Sequence, residues 1–97
     1  MLNSRQRAQL RGMANGYETI FQVGKGGISD QLIKQVEEAL EKRELIKLTV
    51  LETSPEGVRF CADEVAKRSG SDVVQVIGRK FILYKESKNN NSIKLVK

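Results

Sequence analysis

The sequence predicts an α/β domain of order α-β-α-β-α-β-β, built on a four-stranded mixed sheet with helices packed against it. Three observations lead there. Apolar residues recur at helical spacing in three stretches, the period falls to two in the segments between and after them, and glycines stand at most of the switches. Each β-α-β step favours a parallel crossover, and the last two strands lie close enough in sequence to form an antiparallel hairpin.

The first helix is expected over 3–15, where Leu10, Met13, Ala14 and Tyr17 keep helical spacing and Gly16 acts as a stop. Arg7 and Arg11 lie one turn apart along an edge of that stripe. A short β-rich run, 19–23, ends at the glycines of "VGKGG". After them Ser29 or Asp30 caps a second helix, whose apolar face is Leu32, Ile33, Val36, Ala39 and Leu40. Over 45–51 Ile46, Leu48 and Val50 alternate with Lys47 and Thr49, which makes a strand with Lys47 on its solvated side.

Ser54-Pro55-Glu56 combines a capping hydroxyl, a proline suited to a first turn and an acid facing the dipole, so a third helix is expected to begin there. Val58, Cys61, Ala62, Val65 and Ala66 form its buried stripe, and Gly70 ends it. Strands over 73–77 and 81–85 meet across Gly78-Arg79, a glycine-first loop suited to a type II′ turn. The domain is placed at 1–85, with 86–92 a polar linker to the short tail "IKLVK". Phe60 points away from the third helix's stripe and is expected to pack under Ile93 and Leu95, or else to be an exposed contact.

At 97 residues the chain has room for one core. No apolar run is long enough to span a membrane and no signal-like segment opens the chain, so a soluble cytoplasmic protein is expected. With no histidine and a single cysteine, Cys61, the sequence offers neither the usual general base nor a cysteine-based metal site, and no catalytic constellation or cofactor motif is found.

The net charge of +5 is unevenly spread. Residues 1–28 carry a net +3, residues 29–68 hold seven positive against nine negative side chains, and residues 69–97 hold six positive against two negative. Basic ends around an acidic middle suit a polyanion on one side of the molecule.

The glycine run is the most informative feature. Gly24, Gly26 and Gly27 allow positive φ and close approach, Lys25 sits at the loop tip, and a helix N-terminus follows. The run fits neither the Walker pattern nor the dinucleotide fingerprint, because no Ser or Thr follows Lys25 and the glycine spacing is wrong. It does fit GxxG, the loop that clamps a nucleic-acid backbone in KH domains. A bare GxxG is a cheap pattern, and a tight structural turn is the competing reading.

The stretch "RAQLRGMANGYETIFQVGKGGISDQLIKQVEEALEKRELIKLTV", with "DVVQVIGRKFILYK" later, resembles the CRM domain, the family named for chloroplast RNA splicing and ribosome maturation. The likeness is to its bacterial single-domain YhbY-type members and covers about residues 5 to 85. It implies a fold similar to the C-terminal domain of bacterial translation initiation factor three. It also implies a protein that binds structured ribosomal RNA on precursors of the large subunit; the residues themselves suggest no catalysis, and a monomer is expected. On this reading Gly24, Lys25, Gly26 and Gly27 contact RNA, Arg79 and Lys80 occupy the family's "GRK" turn, and Arg7 and Arg11 extend the basic track. Where many members carry a proline before the first strand, this chain has Tyr17-Glu18-Thr19. A protein–protein adaptor, binding through its acidic helix faces and its tail, is the alternative.

Overall fold

The computed structural model describes residues 2–97. Its elements are α1 (Ser4–Ala14), β1 (Phe21–Val23), α2 (Asp30–Arg43), β2 (Leu45–Val50), α3 (Val58–Ser69), β3 (Asp72–Ile77) and β4 (Lys80–Tyr84). The order is the expected one, and the sheet is mixed with strand order β1-β2-β4-β3. β1 and β2 are parallel neighbours, with Phe21 opposite Leu48 and Val23 opposite Val50. β3 also runs parallel to β2 but does not touch it, because the hairpin folds back and inserts β4 between them, antiparallel to both.

Alternation along the strands gives the sheet two buried faces. Val23, Leu48, Val50, Phe81 and Leu83 point to one side, where Leu32, Ile33, Val36 and Leu40 of α2 and Cys61, Ala62 and Val65 of α3 cover them. Leu45, Ile82 and Tyr84 point to the other, where Leu10 and Ala14 of α1 cover them. By the same alternation Val73 of β3 serves the first core and Val74 the second, and the register shift between Val73 and Gln75 brings Gln75 opposite Ile82. Burial pushes the Cys61 thiol above its ordinary range, and it packs as an apolar group.

Local chemistry explains most element ends. Asn3 caps α1 in a capping box with Gln6. Ser29 Oγ accepts from the Leu32 amide and starts α2. Gly78 has φ +59° between Ile77 and Lys80, while Arg79 does not share a positive φ, as a type II′ turn requires.

Four expectations are corrected. Ser54 does not cap α3. Its hydroxyl donates to Glu56 O at 2.8 Å and accepts from the Glu56 amide, closing a local turn, and the helix begins at Val58 with Gly57 as N-cap. Lys47 is not free in solvent: its Nζ donates to Ala14 O and Tyr17 O, each at 3.3 Å, and caps the C-terminal end of α1. Phe60 does not lie under the tail, because Ile93 and Leu95 pack on the α1 side of the sheet, and its ring stays 53% exposed. Residues 86–92, expected as a polar linker, are fastened to the end of α2. Ser87 is buried, and the Glu44 carboxylate takes the amides of Ser87, Ser92 and Ile93 at 2.7–3.0 Å.

Candidate nucleic-acid interface

The parallel pairing of β1 and β2 sends both chains out of the same end of the sheet. Leaving β1, the chain turns through Gly24 to Gly27, closed by the Gly27 amide donating to Gly24 O at 2.9 Å. Lys25 and Gly26 occupy the two central positions and both are exposed. Leaving β2, the chain runs through residues 51–57 beside this turn. A Cβ on Gly24 would stand 3.5 Å from the Leu51 side chain, and one on Gly27 would stand 3.3 Å from Pro55 Cγ. Gly27 has φ +68°, so the position favours glycine on both conformational and steric grounds. Gly26 differs. Nothing lies within 4 Å of where its Cβ would be, and the space over the loop tip is open.

The inserted strand β4 begins at this same end. Thr49 pairs with Lys80, the Val50 amide donates to Arg79 O at 2.7 Å, and Arg79 Nε donates to Val50 O at 3.0 Å. The Gly78-Arg79 turn and the glycine loop therefore flank the end of β2 from either side, about 10 Å apart at two strand spacings. Arg79 and Lys80 are both exposed. Lys25, Arg79 and Lys80 thus occupy one end of the molecule, a proximity the sequence could not supply.

Arg7 and Arg11 lie in a different layer, on α1. Arg7 is half-buried and its Nε donates to Val73 O at 3.3 Å, while Arg11 is exposed. At 100° per residue both fall on the flank of α1 opposite Gln6 and Gln9. Gln6 and Gln9 hold the C-terminal tail, so the tail and the arginines lie along opposite flanks of α1.

Two features temper the phosphate cradle, and sequence reasoning had not placed them. The first turn of α2 already holds its own acid, Asp30, which pairs with Arg68 from the last turn of α3. Glu56 Oε1 would lie 3.6 Å from a Cβ on Gly27. A carboxylate at that side of the loop favours an incoming anion at the Lys25–Gly26 tip rather than at the helix N-terminus. The acid of the Pro55-Glu56 pair was read from the sequence as a helix-dipole partner; its closeness to the loop arises only from the 51–57 turn.

The model of the CRS1 / YhbY (CRM) domain matches residues 2–85, covering every element from α1 to β4. The chain belongs to the CRM domain family. It is 50% identical over 95 residues to the "Probable RNA-binding protein YqeI" of Bacillus subtilis (strain 168), covering 98% of this chain and 99% of that protein. It is 33% identical to a "Probable RNA-binding protein" of Methanocaldococcus jannaschii, covering 87% of this chain and 63% of the relative. The solution structure of the hypothetical protein SAV1595 from Staphylococcus aureus superposes with a TM-score of 0.82 at 42% identity, covering 99% of this chain and all of that one. The superposition shows that the α-β-α-β-α-β-β order with its four-stranded mixed sheet is a fold the two proteins share. Among the described residues, no group of three or more His, Cys, Asp or Glu could hold a metal ion, and no helix is long and apolar enough to cross a membrane.

Proposed function

We propose that this chain is a non-catalytic RNA-binding domain that grips structured ribosomal RNA at its glycine loop during assembly of the large ribosomal subunit, acting as a cytoplasmic monomer. One observation carries the reading: the Gly24–Gly27 turn and the Arg79-Lys80 hairpin flank the same strand end, with Lys25 and the open face of Gly26 outermost. Lys25 Nζ and the exposed turn amides meet one phosphate, and Arg79 and Lys80 meet a second, about two strand spacings away. Gly24 and Gly27 let the turn form, and Gly26 lets the backbone approach. Only five aromatic residues exist, most of them in or against the cores, so contacts to backbone and shape dominate over base stacking. The printed names of the relatives, RNA-binding proteins, agree with this reading.

The test is cross-linking of the protein to RNA in growing cells, with Gly26→Asp in parallel. Gly26 lacks a positive φ and its Cβ direction is empty, so the variant folds and places a carboxylate where a phosphate would sit. Reads concentrated on one large-subunit rRNA region, and lost in the variant, are expected. Reads that the variant retains would make the loop a structural turn.

The adaptor reading draws on Phe60, exposed on α3 with Asp63 and Glu64 one turn along. It predicts no salt-sensitive RNA affinity and a protein partner retained at high salt.

A further inference from the structure

The family match ends at residue 85, yet the last twelve residues are fastened at both ends. At one end stands Glu44, fully buried and left-handed at φ 65°, a position where helices favour glycine. Its carboxylate accepts the amides of Ser87, Ser92 and Ile93, while Glu41 accepts from Ser87 Oγ and Asn89. At the other end Gln9 accepts from the Val96 amide and donates to Lys94 O, and Gln6 donates to Val96 O, all at 2.8–2.9 Å. Between the two, Ile93 and Leu95 pack into the core under α1.

α1 needs this support. Only Leu10 and Ala14 of its eleven residues are buried, and a helix of that length is marginal without tertiary anchors. The strap holds the flank bearing Gln6 and Gln9, which leaves Arg7 and Arg11 on the opposite flank.

We propose that residues 86–97, seated by Glu44, are a positioning strap: they hold α1 against the sheet so that Arg7 and Arg11 join the glycine loop and the hairpin in one RNA-binding surface. The inference rests on the RNA reading above. Glu44, Gln6 and Gln9 act through α1 and touch no RNA.

The test measures affinity for purified bacterial large-subunit ribosomal RNA over a range of salt, together with amide hydrogen exchange in α1. Gln9→Ala changes no charge and removes both bonds that Gln9 makes to the tail, while Gln6 stays in place because it also closes the capping box of α1. The variant is expected to speed exchange in α1, lower affinity about tenfold and reduce the salt slope by about two, one for each arginine. Glu44→Gln replaces an acceptor with an amide nitrogen facing the tail's own N–H groups, and raises the net charge of +5 by one. Electrostatics alone would then tighten RNA binding, whereas a strap predicts weakening.

Faster α1 exchange with unchanged affinity and slope would show that α1 is not part of the RNA surface and overturn the proposal. Unchanged exchange in Gln9→Ala would overturn it too, since the tail would not be holding α1. If the unsubstituted protein has no salt-sensitive affinity, the RNA reading itself fails and the positioning role falls with it. That case is told apart by its appearance before any substitution. Should Glu44→Gln fail to fold, Gln9→Ala decides.

Discussion

At Gly27 a φ of +68° and a Pro55 ring 3.3 Å from any added Cβ mean that even alanine is strained. Gly27→Ala is expected to cost about 1–2 kcal/mol from the left-handed backbone alone, read as a lower denaturant midpoint. An unchanged midpoint would mean the turn is free to rearrange. Lys25, at the tip and exposed, carries no such structural burden. Lys25→Ala should leave the unfolding midpoint in place and flatten the salt dependence of RNA affinity by about one phosphate. A slope identical to that of the parent would make Lys25 a bystander. Neighbouring residues of one motif thus separate into those that make the turn and those that use it.

Among the elements, α1 is the one least secured by its own sequence, and it is tied down from three directions. Lys47 reaches from the middle of β2 to its last carbonyl, at Ala14, and to Tyr17 O just beyond, Arg7 ties it to the edge strand β3, and the tail runs along its third side. Lys47→Met keeps the aliphatic stem and removes only the charged donor. A loss of about 1 kcal/mol is expected from the helix-end interaction, measurable by chemical denaturation. A stability equal to the parent's would return Lys47 to the role of a solvated side chain. α3 shows the converse case: its cap lies three residues past the predicted one because Ser54, Pro55 and Glu56 form the turn that supports the glycine loop.

For the whole molecule, the tail clasp links the fold to pH. Burial acts to raise the Glu44 carboxyl, but three backbone N–H donors outweigh it and hold the group below the ordinary glutamate range. A carboxylate depressed in the folded state contributes stability that is fully present above its unfolded value and is lost as pH falls through the folded value. Acid below the ordinary glutamate range is therefore expected to release the tail. Amides of Ser87, Ser92 and Ile93 should exchange faster there, before the central strands β2 and β4 lose protection. Simultaneous loss across the sheet would show that the clasp has no separate stability.

Element order, the helix caps at Ser29 and Gly70, the buried stripes and the Gly78 turn were all legible in the residues, because each depends on neighbours within a turn or a pleat. The glycine loop was legible as a pattern, and its family resemblance matched the domain found. What lay beyond reach was every relation between residues distant in the chain. Lys47 reads as a solvated side chain until α1 closes over it, and no local pattern marks Glu44 as the seat of the tail. Arg79 and Lys80 came beside the loop only because β4 inserts next to β2. Sequence by itself determined the local conformations, since backbone sterics and periodicity act over a few residues. Tertiary structure alone decided which charges became structural ties and which remained at the surface, because burial and hydrogen-bond partners come from strand order and not from spacing.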